Sequence, residues 1–318
     1  MSSDTIEKLK LRKRMERAGG SLALKMAVGP IRLLKLPAAR KLGRGLGLIV
    51  YTALGRYRRV AHKNLKLIFG DALSESERTR LARDVFSNFG ETAAEFVKLP
   101  QLDREQIDAL TQVEGEENLK SSLEKNKGTL IITGHFGNWE FLARWFAVHN
   151  YPLSVIARRA DNPEAEKLAV QTRTQSGSQV YNRGNSARAA LQSLHRNELV
   201  GILPDQNAGN IVAPFLGLQT GTTDGPAIFH LHTGSPIVFS WCTREPDGRF
   251  KILFEPPEIY TPTGDKQADI LAIMSMINAH LGEQIRKRPS QWLWLHDRWR
   301  ASPWVFENGK DGISQPNE

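Results

Sequence analysis

Cysteine is almost missing from this sequence: Cys242 is the one cysteine among 318 residues. A single thiol excludes an intrachain disulfide framework and a zinc site built from several cysteines. Cys242 ends the apolar run at 236–242, and a free cysteine in such a run behaves as a small hydrophobic side chain. We therefore expect a packed core thiol.

Long apolar runs are also missing. Residues 1–18 are highly charged and lack the apolar core of a cleaved secretory signal. The uncharged piece at 45–55 is too short to cross a bilayer in the usual way. Apolar residues between 21 and 57 are interspersed with lysines and arginines, which favours a basic amphipathic segment on an anionic membrane surface. The alternative is a helix packed on the domain with a solvated basic face.

Several catalytic motifs do not occur. The sequence has no G-x-S-x-G elbow, which disfavours a serine-nucleophile hydrolase. It also has no Walker loop, no dinucleotide fingerprint and no HExxH pair for a zinc protease. The sequence therefore requires no cofactor and no metal.

What is present suits one large domain with a substantial core, because 40% of the residues are hydrophobic. We predict a membrane-associating segment at 1–55, a main domain at 56–305 and a flexible tail at 306–318. Lys and Arg total 43 against 34 Asp and Glu, a net charge of +9. This excess favours an anionic partner, and a nucleic acid, an anionic membrane or an acidic protein would all fit.

The stretch at 128–140 organises the chain. Residues 129–133 form a short β-branched apolar run typical of a buried strand, and Gly134 allows a sharp turn after it. A helical pattern begins near Asn138, so His135 lies at a strand tip and Glu140 falls in the first helical turn.

A carboxylate bonded to one imidazole nitrogen fixes the tautomer and leaves the other nitrogen free to take a proton from a hydroxyl. On one continuous helix, His135 and Glu140 would point about 140° apart, so they can meet only if His135 lies in the turn. The alternative is that Glu140 merely complements the helix N-terminus and His135 is a turn residue.

Two further apolar strands end in polar residues. The strand at 153–157 is followed by Arg158, and the strand at 199–203 is followed by Asp205 and Gln206. If these strands are parallel to the strand before His135, all three ends face one crevice. Asp205 could orient His135, hold an acceptor group or cap the turn at 207–210. We predict an α/β fold with a central, mostly parallel sheet flanked by helices.

The sequence HFGNWE at 135–140 resembles the His-X4-Asp/Glu signature of glycerolipid-type acyltransferases. In its Glu form it resembles the bacterial lipid A late acyltransferases, the lauroyl and myristoyl transferases. The likeness runs from about residue 56 to 304. It also covers Arg158, Asn162-Pro163, Arg173, Asp205-Gln206 and the ending Trp294-x-His296-x-Arg298-Trp299. Leu216 departs mildly, because many members have a second aromatic residue there.

This resemblance implies a glycerolipid-acyltransferase-like fold and general-base acyl transfer without a cofactor. The implied donor is the thioester of an acyl carrier protein or coenzyme A, and the acceptor is a phosphorylated lipid A precursor. The implied location is the cytoplasmic face of the inner membrane, peripheral or monotopic, with no nucleic acid partner. The implied site comprises catalytic His135, Glu140 and Asp205 and substrate-binding Arg158, Asn162, Arg173, Gln206 and Arg298.

Several alternatives stay open. The acceptor could be another glycolipid or membrane lipid, such as a phosphatidylinositol mannoside. In a different class, the chain could be a non-catalytic basic protein that binds membranes or nucleic acid. His296 could be a second base, a structural residue or an acceptor contact. The apolar, glycine-containing segments at 212–217 and 222–227 suit either the wall of an acyl channel or a loop that closes the core.

Overall fold

The structure, a computed structural model, describes residues 26–157, 162–182, 186–300 and 302. Helical turns at 26–33 precede the longer helices. These helices are α1 (Leu36–Ala53), α2 (Gly55–Phe69), α3 (Glu75–Lys98), α4 (Arg104–Ala109), α5 (Glu116–Leu123), α6 (Trp139–Val148), α7 (Pro163–Gln175), α8 (Ser186–His195), α9 (Gly225–Thr233) and α10 (Lys266–Lys287). Short 3₁₀ turns lie at Gly70–Ala72, Leu99–Gln101 and Pro289–Gln291.

The strands are β1 (Thr111–Glu114), β2 (Thr129–Ile132), β3 (Leu153–Ala157), β4 (Gln179–Asn182), β5 (Leu199–Ile202), β6 (Ile211–Phe215), β7 (Leu218–Thr222), β8 (Ile237–Arg244) and β9 (Phe250–Phe254). Seven of them form one sheet in the order β1-β9-β8-β2-β5-β3-β4. Strands β8, β2, β5, β3 and β4 are mutually parallel, whereas β9 is antiparallel to β8 and pairs in parallel with β1. The predicted mostly parallel α/β sheet is therefore confirmed.

The topology brings the predicted strand ends together. Strand β5 lies between β2 and β3, and Ile132 is in register with Ile202. Parallel neighbours in register leave the sheet at the same edge. The residues that follow β2 and β5 therefore meet, as the crevice rule for α/β sheets predicts.

Both faces of β2 are covered, which explains its continuous apolar sequence. Leu130 and Ile132 pack into the core on the side of α10. Ile131 points to the opposite face, where it belongs to the core formed with Leu142 and Phe146 of α6.

Local sequence sets the starts of the helices. A reciprocal capping box between Ser74 and Glu77 begins α3, and the Asp265 side chain caps α10. The Asn138 side chain accepts a hydrogen bond from the N–H of Phe141 at 2.9 Å, so α6 begins where the sequence pattern predicts.

Helix α1 packs closely along α3. Gly43 and Gly47 face Gly90, and a Cβ atom on Gly47 would overlap the carbonyl oxygen of Phe86. Residues 36–53 thus belong to the helical layer of the fold. The first 25 residues of the predicted membrane-associating segment lie outside the described residues, and the predicted divisions at 55 and 305 stay predictions.

No helix within the described ranges combines the length and apolarity needed to span a bilayer. The apolar segment at 212–217, expected as a loop, belongs to a two-stranded hairpin of β6 and β7, with Ala213 and Phe215 buried in the core. The expected core thiol is confirmed: Cys242 is fully buried on β8, and burial raises its pKa.

Candidate active site

His135 sits in a tight turn between β2 and α6. Gly137 has a φ of 59°, and a Cβ atom there would overlap the carbonyl oxygen of Cys242, so glycine is required. The turn is fixed to the segment after α10: the N–H of Leu293 donates to the carbonyl of His135 at 3.0 Å, and the N–H of Gly137 donates to the carbonyl of Gln291 at 2.8 Å. The imidazole is therefore presented from a rigid turn, outside the helix.

Asp205, which follows β5, is the carboxylate that contacts His135. Its Oδ1 lies 2.8 Å from His135 Nδ1, and its Oδ2 accepts the backbone N–H of His135 at 2.8 Å. The indole N–H of Trp292 donates to the same Oδ2 at 2.8 Å. This arrangement puts the proton on Nδ1 and leaves Nε2 as the proton acceptor.

The carboxyl of Asp205 is only 1% exposed. Burial opposes its ionisation, but the charge and hydrogen bonds of His135 and the hydrogen bond from Trp292 outweigh burial and hold the pKa of Asp205 below its ordinary value. Asp205 is therefore an anion at neutral pH, and it can stabilise a positive charge on the imidazole.

Glu140 has a different partner. Arg173 of α7 grips its carboxylate through Nε at 3.2 and 3.1 Å and through Nη2 at 2.5 Å, and the indole N–H of Trp139 adds a bond at 3.1 Å. Burial alone would lower the pKa of Arg173, but the charge of Glu140 outweighs burial and raises it. The two acidic residues considered for His135 thus separate: one bonds the imidazole, the other an arginine.

Gln206 contacts the imidazole, and His296 lines the same cavity. The Gln206 amide Nε2 is 3.3 Å from His135 Nε2. His296 Nε2 accepts the backbone N–H of Asn207 at 2.9 Å, and burial lowers the pKa of His296. His296 is therefore a neutral ring whose Nε2 lone pair is already used, which disfavours a role as a second base.

Arg298 lies behind the pocket wall. It is fully buried, donates to Thr222 Oγ1 at 2.9 Å and to Thr220 Oγ1 at 3.3 Å, and stacks over Phe215. Burial lowers its pKa to about 10. Its contacts hold the β7 strand against the C-terminal segment, so it supports the site without lining it.

The two remaining predicted binding residues are Asn162 and Arg158. Asn162 caps α7, accepting the N–H groups of Glu164 at 2.9 Å and Ala165 at 3.2 Å. It does not line the pocket beside His135. Arg158 lies outside the described residues.

A cavity of about 530 Å³ opens beside His135. Its inner part runs between the sheet and α6, where the lining is apolar: Ile131, Leu142, Ala143, Phe146, Leu153 and Val155. Its outer part is polar: Gln206, Asn207, Asn210, Thr223, His296 and Arg300. Such a cavity can hold an alkyl chain with a polar reacting group beside the imidazole.

Glu95 is a supporting residue that the sequence did not single out. It lies 1% exposed on α3, accepts from Asn138 Nδ2 at 2.6 Å and bonds the guanidinium groups of Arg40 and Arg244. This network connects α1, α3 and β8 to the cap of α6. A charged residue in a buried helical stripe signals a buried ion pair, but these arginines lie 55 and 149 residues away in sequence.

Comparison with known proteins shows the family of the chain. The family model described as bacterial lipid A biosynthesis acyltransferase matches residues 8–301. The chain belongs to this family. Membership makes it an acyltransferase and confirms the family resemblance carried by HFGNWE.

Curated relatives of this acyltransferase are similar over most of their length. A lipid A biosynthesis lauroyltransferase of Escherichia coli (strain K12) is 27% identical over 275 residues, covering 85% of this chain and 88% of that protein. A lipid A biosynthesis palmitoleoyltransferase of the same strain is 26% identical, covering 85% and 87%. A phosphatidylinositol mannoside acyltransferase of Mycolicibacterium smegmatis (strain ATCC 700084 / mc(2)155) is 22% identical over 227 residues, covering 70% and 73%.

Proposed function

We propose that this acyltransferase moves a fatty acyl chain from a thioester to a hydroxyl of a lipid A precursor, with His135 as general base. The observation that carries the proposal is the bond of 2.8 Å between His135 Nδ1 and Asp205 Oδ1 at the opening of an apolar cavity. A base oriented by a buried anion, next to a channel suited to hydrocarbon, matches what direct acyl transfer needs.

In the proposed reaction, the acceptor hydroxyl replaces the Gln206 amide at His135 Nε2. The imidazole takes the hydroxyl proton as the oxygen attacks the thioester carbon, and Asp205 stabilises the imidazolium that forms. The carbon–sulfur bond then breaks, and His135 returns the proton to the departing sulfur. One ester and one free thiol are produced, with no covalent enzyme intermediate.

The acyl chain would occupy the inner part of the cavity. Its walls come from α6, β2 and β3, and Phe146, Ile131 and Leu142 are among its most buried lining residues. Burying each methylene there contributes about 0.8 kcal/mol, so the depth of this cavity would set the preferred chain length.

Glu140 and Arg173 would form the polar wall of the cavity between the acyl chain and the thioester carbonyl. Glu140 engages Nε and Nη2 of Arg173. Within the described residues, Nη1 of the guanidinium makes no hydrogen bond, so it would donate to the oxyanion that develops on the thioester carbonyl. In this proposal Glu140 acts through Arg173 and not on the imidazole.

The donor class would be an acyl carrier protein or coenzyme A, and the basic net charge of +9 suits an acidic carrier protein and an anionic bilayer. Several apolar side chains of the N-terminal helices are exposed, including Leu33 at 90% and Ile49 at 60%. These would enter the membrane interface on the cytoplasmic face of the inner membrane, where a lipid acceptor is located.

A second acceptor class follows from the mannoside relative: the same base and cavity would serve another glycolipid hydroxyl. Supplying each purified acceptor with one thioester donor separates the two, because only the correct acceptor accelerates thiol release. No release with either acceptor would instead favour a non-catalytic basic membrane protein.

The test of the reaction is thiol release by purified protein with donor and lipid acceptor. We expect His135→Ala to lower the rate by at least about 10²-fold, because general-base catalysis typically contributes that much. His195→Ala, which removes an exposed histidine at the end of α8, is the matched control and should keep full activity. Equal rates for both variants would contradict the proposal.

A further inference from the structure

Arg300 lies at the outer end of the cavity that His135 borders. Its side chain is exposed, and within the described part of the chain no carboxylate forms an ion pair with it. A pocket arginine without an anionic partner is a candidate for binding an anion.

The other ionisable groups of this cavity are already compensated. The charge of Arg173 is paired with Glu140, and His135 is paired with Asp205. His296 is neutral because its Nε2 accepts the backbone N–H of Asn207. Among the described lining residues, the positive charge of Arg300 is therefore the one left for a ligand.

Neutral donors accompany this charge. Asn210 lines the same outer part, and no hydrogen bond of its side chain occurs within the described residues. Thr223 accepts the N–H of Gly225 at 3.4 Å, and among the described residues its hydroxyl has no acceptor, so the hydroxyl hydrogen can go to a ligand. A guanidinium, an amide and a hydroxyl that line one cavity together match the several acceptor oxygens of a phosphate group.

We propose that Arg300, with Asn210 and Thr223, forms a phosphate-ester subsite at the outer end of the cavity. The ligand would bind with its alkyl chain inside, its reacting group at His135 and its phosphate at Arg300. The inference rests on the proposed acyl transfer for the source of that phosphate, which is either the phosphopantetheine arm of the donor or a phosphate on the lipid acceptor.

Binding of decyl phosphate and of decanol, measured by calorimetry on the full chain, tests the subsite without turnover. Arg300→Ala should weaken decyl phosphate binding by about 10- to 100-fold and leave decanol binding unchanged. The matched control is Lys125→Ala, which removes an exposed positive charge before β2, at the opposite edge of the sheet. Unchanged decyl phosphate binding by Arg300→Ala would overturn the proposal.

Kinetics distinguish the two sources. One arm compares acyl-pantetheine with acyl-4′-phosphopantetheine, and the other compares the lipid acceptor with its dephosphorylated form. One of these two pairs contains the phosphate that binds Arg300. For that pair, removing the phosphate from the substrate should lower kcat/KM of the parent protein by about 10-fold or more and leave kcat/KM of Arg300→Ala unchanged. If Arg300→Ala discriminates like the parent in both arms, the subsite is refuted. If the parent turns over no substrate but Arg300 still governs decyl phosphate binding, the acyl transfer fails and the anion site stands.

Discussion

At the scale of single residues, the central pair is a partly buried imidazole and a buried carboxylate. His135 and Asp205 lie 70 residues apart in sequence, and two bonds of 2.8 Å join them. Trp292 adds a third contact from the C-terminal segment. The two acidic residues therefore have different roles: Asp205 orients His135, and Glu140 orients Arg173.

Replacing Asp205 with Asn should lower kcat by roughly 10²- to 10⁴-fold with little change in KM. The amide cannot stabilise an imidazolium, and with its oxygen kept on the two N–H donors at Oδ2, its NH₂ group would face His135 Nδ1 and force the proton onto Nε2. Steady-state thiol release measures both constants. Asp84→Asn, at an exposed position of α3, is the control and should keep parent kinetics. A variant Asp205→Asn with parent kcat would show that the carboxylate charge is not needed.

A substitution at Gly201 tests how the cavity sets the preferred length of the acyl chain. Gly201 lies on β5 in the cavity lining, and a Cβ atom there would be 3.3 Å from Leu153 Cδ1 and 3.5 Å from Val155 Cγ1. Gly201→Val should therefore fill the inner cavity and shift the preference to shorter acyl donors, by about fourfold in kcat/KM per excluded methylene. A series of donors of different length measures this. The control is Gly209→Ala, because no atom of the described residues lies within 4 Å of a Cβ placed there. An unchanged length preference would place the chain elsewhere.

At the scale of elements, a second histidine–carboxylate pair holds α10 to the sheet. His280 of α10 lies 2.6 Å from Glu255, which also accepts the indole N–H of Trp241 at 2.6 Å, and the His280 ring stacks on Phe239. The bond to Glu255 raises the pKa of His280 above 6.5. Burial opposes ionisation of Glu255, but the bonds from His280 and Trp241 outweigh it and lower its pKa below 4.5.

These directions fix a pH window for stability. The contribution of His280 is fully present below pH 6.5, the unperturbed value, and is lost as the pH rises through the raised pKa. That of Glu255 is present above pH 4.5 and is lost as the pH falls through the lowered pKa. The pair therefore stabilises the fold most between these two values.

The variant His280→Gln should lose on the order of 1 kcal/mol of unfolding free energy near pH 6, and the loss should shrink toward pH 9 as the parent histidine deprotonates. Urea unfolding at several pH values measures this. His232→Gln, at an exposed histidine of α9, should show no such trend. A deficit of His280→Gln that is constant with pH would contradict the assignment.

The secondary-structure elements were more predictable from the sequence than the tertiary contacts between them. The strands near 129–132, 153–157 and 199–202, the β8–β9 hairpin and the span of α10 follow from apolar periodicity and turn residues. The short strands β1 and β4 have four residues each and mixed sequences, too short to establish a period, and each pairs with one neighbour at an edge of the sheet. Propensity does not encode such tertiary pairing.

The site shows the same limit. That His135, Asp205 and Gln206 meet follows from strand ends in a parallel sheet, which the sequence pattern predicts. That Glu140 turns to Arg173 does not, because the choice depends on where α7 packs relative to α6. The identities of Trp292 and Glu95 as supporting residues depend on contacts spanning 87 and 43 residues, which no local pattern reports.

At the scale of the whole molecule, the seven-stranded sheet with helices on both faces forms a cavity whose inner part is apolar and whose opening is polar. The basic N-terminal helices are packed into this body through the glycines of α1 and the Glu95 network. If these helices enter the membrane interface as proposed, the membrane-contacting surface and the catalytic site belong to one packed body.

The most direct measurement is mass spectrometry of the lipids of cells that lack this protein and receive either the parent chain or His135→Ala. We expect the parent to add one acyl chain to a lipid A species, and His135→Ala, present at the same level, to add none. Identical lipid masses with both chains would contradict the account.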